Sequence, residues 1–212
     1  MKRMTALAIA ACAGTACRTA APPAQAPPPI VRPGAPGQAS AAGRAPATPV
    51  AIGHVKADVA FMQGMISHHA QALDMVRLLE TRTESGDMKL LALRIKVSQS
   101  DEIKFMQDWL RDRGEPVPGE HAHHAHDFTR MPGMLSPGDM KTLEAAKGRE
   151  FDRLFLEYMI KHHEGALVMV DELFRQDGAG QEAMIHAFAS DVVADQQMEI
   201  TRMIAMWRGM QR

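Results

Sequence analysis

An internal repeat of one apolar helical pattern constrains the fold of this chain more than any other feature. The segment MISHHAQALDMV at residues 65–76 returns as MIKHHEGALVMV at residues 159–170, and an offset of 94 residues places His68 on His162. Apolar residues recur every three or four positions in both segments, which indicates amphipathic helices rather than strands. In each copy, a pair of adjacent histidines interrupts the apolar stripe.

The stripe that contains His68 matches the stripe that contains His162 in residue type at every position. Its members are Phe61, Met65, His68, Ala72, Met75 and Leu79 in the first copy, and Phe155, Met159, His162, Ala166, Met169 and Leu173 in the second. The neighbouring stripes, through His69 and His163, match at four of six positions. Further along the chain, QSDEIKFMQDW from Gln99 resembles QQMEITRMIAM from Gln196 at an offset of 97, which pairs Glu102 with Glu199. The chain therefore contains a duplicated helical hairpin.

Four helices account for nearly all of the folded part, residues 54–212. The periodicity predicts them near 54–83, 86–113, 137–176 and 180–210, with Gly or Pro at each break, so that the two repeats span about 54–113 and 137–210. Ser136 followed by Pro137 suits an N-cap and a first helical residue. The predicted fold class is all-α, a four-helix bundle made of two duplicated hairpins.

The N-terminal region has the composition of a targeting segment and a spacer. Residues 1–17 begin with Lys2 and Arg3 and continue with a short apolar run, the layout of a bacterial signal peptide, so we expect an exported protein. Cys12 follows small residues, as in a lipoprotein cleavage box; ordinary cleavage near Ala26 is the alternative. Residues 18–53 are rich in Ala and Pro and predict a disordered linker.

Charge and cysteine content exclude several classes of function. With 24 Lys and Arg against 25 Asp and Glu, the formal net charge is -1, so the chain lacks the basic excess typical of nucleic-acid binding. Its two cysteines lie in the N-terminal segment, so a metal site in the folded part needs other ligands. Beyond a lipid anchor, we expect no attachment to a membrane.

The repeated pattern brings methionine and histidine onto one helical face. Residues three or four apart share a face of a helix, so Met65 can converge with His68 and His69, as Met159 can with His162 and His163. Imidazole binds several transition metals, whereas the thioether of methionine is a soft ligand that selects Cu(I). The candidate metal ligands of the two motifs are Met65, His68, His69, Met75, Met159, His162, His163 and Met169.

Ordinary packing is the alternative for these residues. A methionine at helical spacing more often fills a core than binds a metal. A buried imidazole pair is costly without partners, however, and here the pair recurs within an identical stripe. Glu102 and Glu199 either orient the histidines as hydrogen-bond acceptors or lie on a solvated face; the sequence leaves both open.

The segment HAHHAHDFTRMPGM, between the two repeats, carries a second set of candidate ligands. They are His121, His123, His124, His126, Met131 and Met134. Such a His-rich tract is typical of a flexible segment that collects metal ions, with Cu(II) or Zn at the histidines and Cu(I) at the methionines. A polar, solvated loop without a ligand is the alternative.

The motifs FMQGMISHHAQALDMV, MPGMLSPGDM, MIKHHEGALVMV and DQQMEITRMIAMW resemble those of the domain-of-unknown-function 305 family. The likeness covers about residues 54–212 and implies a ferritin-like four-helix architecture, export from a bacterial cell and copper binding through Met and His. In this chain, the copper ligands implied are those of the two His-His motifs. Leu156 stands where the first copy has Met62, so the two copies are not strictly symmetric.

The expected function is extracytoplasmic copper sequestration or transfer, with copper as Cu(I) in the motifs and Cu(II) at the His-rich tract. The protein would be periplasmic, or lipid-anchored to the outside of a bacterial membrane, and its partner a copper exporter or another copper carrier. A ferritin-like oxidase is the rival, but the predicted helices contain no Glu-x-x-His motif of the di-iron enzymes. A metal-independent interaction module is the third class. We therefore expect a protein that is not an enzyme.

Overall fold

The computed structural model describes residues 30–32, 41–43, 53–119 and 131–211. The chain divides into two units, Met1–Val50 and Ala51–Arg212. The predicted signal peptide, residues 1–17, lies outside the described residues. So do the four histidines of the tract at residues 121–126.

Two short strands occur in the segment whose composition predicts a spacer. Strand β1 (Ile30–Arg32) pairs antiparallel with β2 (Ala41–Gly43), with Val31 opposite Ala42. Composition alone overlooks this pair because it averages over the β-branched residues Ile30 and Val31, which favour extended backbone. A two-stranded ribbon of this length is marginal by itself.

The second unit is built from helices. They are α1 (Lys56–Arg82), α2 (Gly86–Asp112), α3 (Pro137–Ala145), α4 (Gly148–Arg175) and α5 (Ala183–Met210). Helix α1 packs against α2, α4 packs against α5, and α1 and α4 pack against each other. The four long helices confirm the predicted all-α bundle of two hairpins. None of the helices in the described part of the chain combines the length and apolar character needed to cross a bilayer.

The third predicted helix, residues 137–176, is broken in the structure. Helix α3 ends at Ala145, and Ala146 and Lys147 are extended before α4 begins at Gly148. Gly148 has φ +57°, in the left-handed region that glycine enters without steric cost. The break lets α3 turn and bury Leu143 against the bundle, where it contacts α1 and α4. Periodicity misses it because Ala146 and Lys147 are themselves good helix formers.

The start of α3 is as predicted. Ser136 is the N-cap and Pro137 lies in the first turn. The Ser136 hydroxyl accepts a hydrogen bond from the Asp139 backbone N–H at 3.1 Å, and the Asp139 carboxylate accepts one from the Ser136 N–H, also at 3.1 Å. This capping box fixes where the chain enters α3 after residues 131–135.

The repeated stripes form the core. All twelve of their residues are buried. The apolar residues fall into two clusters, and along α1 and α4 the histidines lie between residues of one cluster and residues of the other. Met65 and Met169 belong to one cluster and Met75 and Met159 to the other, because α1 and α4 run in opposite directions. The histidines thus form a polar layer between two apolar ones.

Candidate metal site

The centre of the polar layer is a stacked pair of imidazoles, one from each hairpin. The rings of His68 on α1 and His162 on α4 have centroids 3.8 Å apart and planes inclined by 34°. Both residues are fully buried. The two His-His motifs therefore meet in one place, a question that the sequence leaves open.

The second histidine of each pair points to the outer helix of its own hairpin. His69 Nε2 lies 2.5 Å from Glu102 Oε2 on α2, and His163 Nε2 lies 2.7 Å from Glu199 Oε2 on α5. In both hairpins the rings of the adjacent histidines are 6.3 Å apart and inclined by 56°. Of the two roles open to Glu102 and Glu199, the structure shows the first: each holds a histidine.

Hydrogen bonding decides which nitrogen of each ring carries the proton. His68 Nε2 lies 3.1 Å from the Pro132 carbonyl oxygen, and a carbonyl only accepts hydrogen bonds. The carboxylate oxygens of Glu102 and Glu199 also accept from a ring N–H, so Nε2 is the N–H donor in His68, His69 and His163. Among the described residues, the Nδ1 atoms of these three rings are buried without a hydrogen-bond partner, and so are both ring nitrogens of His162.

Burial keeps the central imidazoles neutral. Burial and the neighbouring His69 together lower the pKa of His68 to about 3, against a smaller opposite effect of the Pro132 carbonyl. Burial also holds the pKa of His162 well below its usual value of 6.5, with His68 adding to the effect. A neutral imidazole with a free lone pair is the form that binds a metal ion.

One face of the layer is covered by residues 131–135, which we call the strap. It begins at Met131 beside α1 and α4 and leads into α3. Gln71 on α1 holds its other end with two buried hydrogen bonds: Leu135 N–H donates to Gln71 Oε1 at 2.8 Å, and Gln71 Nε2 donates to the Leu135 carbonyl at 3.1 Å. Pro132, between these ends, supplies the carbonyl that accepts from His68.

Glycines allow the strap to approach the helices closely. A Cβ on Gly165 of α4 would lie 2.1 Å from the Pro132 oxygen and 2.5 Å from Gly133 Cα. A Cβ on Gly133, whose φ is +76°, would lie 2.8 Å from the His162 carbonyl oxygen. On α1, a Cβ on Gly64 would lie 3.3 Å from Met131 Sδ and 3.4 Å from Met169 Cε. Two thioether side chains thus meet at Gly64, one turn before His68.

An acidic groove of about 520 Å³ lies between α2 and α5. Its lining includes Asp101, Glu102, Asp191 and Asp195, above the stacked rings of Phe105 and Phe188. Burial raises the pKa of Asp195, and the nearby carboxylates of Glu102 and Glu199 raise it further. Because Glu102 also holds His69, a groove that attracts cations adjoins the histidine layer.

Of the residues expected to bind metal, the structure brings some together and separates others. His68, His69, His162 and His163 are fully buried in the layer; Met65, Met75, Met159 and Met169 are buried beside it. Met131 and Met134 both lie in the strap. The tract residues His121, His123, His124 and His126 lie outside the described residues.

Sequence reasoning missed Gln71, Gly165, Gly64 and the Pro132 carbonyl. A signal for two of them was present: at the offset of 94, Gln71 falls on Gly165, a mismatch within otherwise similar segments. Gln99 and Gln196 also correspond in the repeat, and the structure buries both, with no partner for Oε1 in the described part of the chain.

The described residues contain no group of three or more His, Cys, Asp or Glu side chains arranged to hold a metal ion. A structural zinc site takes four ligands of these kinds. The donors beside the paired imidazoles are instead thioethers. The donor set fits a soft cation better than zinc.

Solved structures with the same fold come from several sources. The chain is 25% identical to a DUF305 protein of Streptomyces coelicolor described as secreted, covering 73% of this chain and 94% of that one with a TM-score of 0.63. It is 29% identical to a DUF305 fragment from Deinococcus radiodurans, covering 73% and 97% with a TM-score of 0.63. It is 27% identical to CopM in the Cu(I)-bound form, covering 72% and 96% with a TM-score of 0.57.

CopM has also been solved in Cu(II)-bound, Ag-bound and apo forms. No curated protein matches the chain in sequence. The model of the domain of unknown function DUF305 matches residues 58–207, which is most of the helical unit. The chain is therefore a member of the DUF305 family.

Proposed function

We propose that this protein binds copper as Cu(I) in the histidine layer and sequesters or transfers it outside the cytoplasm. The observation that carries the proposal is the stacked pair His68 and His162, whose free ring nitrogens are buried between methionine-containing apolar clusters. Leaving buried polar atoms unpaired costs free energy, and a bound cation would remove that cost. The copper-bound forms of CopM, a structural neighbour, support the same assignment.

The positions of Glu102 and Glu199 add to this support. In many metal sites the second ring nitrogen of a histidine ligand donates to a carboxylate, which fixes the tautomer and makes the ring a better ligand. His69 and His163 have this arrangement, with Nδ1 left free. Both hairpins would thus supply oriented imidazoles to one shared site.

The chemistry of binding favours Cu(I) over Cu(II) within the layer. The surroundings are apolar and sheltered from water, and the neighbouring sulfur atoms are soft ligands. Neutral imidazole and thioether bring no negative charge, so they suit a singly charged cation in a buried place. We propose a carrier rather than an enzyme, because the candidate ligands are buried in the core of the bundle.

We also propose that the protein is exported and that it exchanges copper with a partner protein. The signal-like residues 1–17 and the similarity to a DUF305 protein described as secreted support an exported protein. The His-rich tract at residues 121–126 would collect Cu(II) or Cu(I) ahead of the strap, and a copper exporter or another carrier would be the exchange partner. A Cys12→Ser variant tests the lipid anchor: loss of the protein from the membrane fraction supports anchoring, and an unchanged distribution contradicts it.

A Cu(I) competition experiment tests the function. The full chain is titrated against a colorimetric Cu(I) chelator, beside a variant in which His68, His69, His162 and His163 are all replaced by Ala. We expect the natural chain to compete and the variant to lose its tightest binding. A His54→Gln/His186→Gln variant is the matched control, because these two histidines lie outside the layer.

Circular dichroism must show that the quadruple variant remains helical. If it is folded and competes as well as the natural chain, the histidine layer is not the site. If the natural chain does not compete at all, the copper proposal is wrong, and the buried histidines serve packing or another ligand.

A further inference from the structure

The strap joins the metal site to a segment that neither copy of the repeat contains. It runs along the seam between α1 and α4, touching Gly64 and His68 on the first helix and Met169, Gly165 and His162 on the second. In the described part of the chain a single strap covers the two similar helices, so the two His-His motifs have different surroundings. His68 Nε2 has a partner in the strap, whereas His162 Nε2 has no hydrogen-bond partner among the described residues.

The repeat itself has diverged where the strap lies. At the position of Gln71 in the first copy, the second copy has Gly165. The glutamine holds the strap through both hydrogen-bonding groups of Leu135, and the glycine leaves room for Pro132 and Gly133. Exchanging the two residue types would remove both the hydrogen bonds to Leu135 and the room for Pro132 and Gly133. The difference between the copies therefore serves the position of the strap.

The strap brings one thioether, that of Met131, to the histidine layer. Met131 Sδ lies against Gly64 next to the methyl group of Met169, and Met131 packs on the same apolar cluster that contains Met65. Gly64 is the reason that there is room for two thioethers at this point: its counterpart in the second copy is Tyr158, a large side chain. This end of the layer thus gathers sulfur from α1, α4 and the strap.

We propose that Met131 is a ligand of the copper site and that Gln71 is the positioning residue that holds it there. The inference rests on the proposed function and deepens it: the site is a single asymmetric one, with soft sulfur donors concentrated at the Gly64 end. It also distinguishes Met131 from Met134, which are both candidate ligands in the sequence. Met134, three residues further along the strap, is buried away from Gly64 and is not a ligand of this site.

A double-mutant cycle on the full chain tests the proposal, with the Cu(I) affinity measured by competition with a colorimetric chelator. Met131→Leu removes the sulfur and keeps the volume, and we expect an affinity about tenfold lower. Gln71→Leu removes both hydrogen bonds to Leu135, and we expect a similar loss. If Gln71 acts by placing Met131, the double variant is no weaker than Met131→Leu alone.

X-ray absorption at the copper edge, with substoichiometric Cu(I), measures the number of sulfur ligands of the bound copper. This number would not change if Met131 and Gln71 only stabilised the fold. Both single variants should lose one Cu–S contribution, although only one of them lacks a sulfur atom. Met134→Leu is the matched control for the thioether. Gln63→Leu is the control for the amide, because Gln63 Nε2 donates to the Pro116 carbonyl at 2.8 Å, away from the strap.

Three results would overturn the inference. Met131→Leu could bind Cu(I) as tightly and with as much sulfur as the natural chain; Met134→Leu could lose as much as Met131→Leu; or the losses of the two single variants could add in the double variant. Each of these leaves the copper function intact if the natural chain competes. A natural chain that does not bind Cu(I) overturns the proposed function and this inference together. Because Met131→Leu conserves volume, it tests the ligand even if Gln71→Leu fails to fold.

Discussion

The rings of His68 and His162 stack 3.8 Å apart, although the residues belong to different hairpins and neither ring has a charged partner among the described residues. Such a stack excludes two protonated rings, because like charges at this distance in a buried layer repel strongly. Burial lowers the pKa of both rings as well, so the folded protein holds both imidazoles neutral. This relationship underlies the metal site, and it also makes stability depend on pH.

The metal-free protein should lose stability as the pH falls. The pKa of His68 is about 3 in the folded chain against 6.5 when unperturbed, and that of His162 is also lowered, so the unfolded chain takes up protons first. The contribution of these two neutral histidines to the free energy of unfolding is full above about pH 6.5. It decreases as the pH falls towards 3, by about 1.4 kcal/mol per pH unit for each proton bound on unfolding. Urea unfolding at several pH values measures it.

His68→Leu should flatten this pH dependence, and His186→Gln should not, since His186 is exposed on α5. An identical slope in the natural chain and in His68→Leu would show that the buried ring does not control the acid sensitivity.

Gly165→Ala should destabilise the protein through the strap. The added Cβ would lie 2.1 Å from the Pro132 oxygen, and backbone on both sides leaves little room to relax. We expect a loss of about 1–3 kcal/mol or more in the free energy of unfolding. Gly209→Ala is the control, since nothing lies within 4 Å of its Cβ and alanine favours a helix by up to about 1 kcal/mol. Thermal unfolding compares the two, and equal effects would contradict the close approach of the strap.

Glu199→Gln should weaken Cu(I) binding while leaving the bundle folded. The neutral amide accepts less strongly from His163 Nε2–H and, if it donates instead, shifts the ring proton to Nδ1 and blocks that nitrogen. Losing such an orienting partner costs about 10–100-fold in metal affinity. Chelator competition measures the change. Glu164→Gln is the control, because Glu164 follows His163 in the sequence but is exposed; a similar loss in both would mean a general charge effect.

Glu182→Gln should loosen the contact between the end of α2 and the start of α5. Its carboxylate accepts hydrogen bonds from Trp109 Nε1 at 3.1 Å and from Arg113, whose guanidinium carbon lies 4.2 Å above the Trp109 ring. This partly buried, charge-assisted network predicts a loss of about 1–2 kcal/mol. Chemical unfolding, followed by circular dichroism, measures it.

Glu157→Gln provides the comparison, because its ion pair with Arg153 is exposed and should contribute less than about 0.5 kcal/mol. If Glu182→Gln costs no more than this exposed pair, the network does not fasten the two hairpins.

The four long helices and the burial of their histidine-containing stripes were predictable, because both depend on local periodicity. The spacing of the stripe from Phe61 to Leu79 predicts its burial, and the repetition of the stripe from Phe155 to Leu173 predicts a second, equivalent helix. The break at Ala146 and Lys147 was not predictable by this route. It depends on the left-handed Gly148 and on the burial of Leu143, which only packing against α1 and α4 makes favourable.

By itself, the sequence determined the helical class, the duplication and the presence of Met and His on one buried face, since these depend on residue type and spacing along a single helix. Only the tertiary structure decided that His68 meets His162, that Glu102 and Glu199 hold their neighbours, and that the strap places Met131 against Gly64. These contacts join residues from different helices, and their partners are set by which faces pack together. Gln71 and Gly165 show the difference. In the sequence they are a mismatch in a repeat; in the fold, Gln71 hydrogen-bonds the strap and Gly165 leaves room for it.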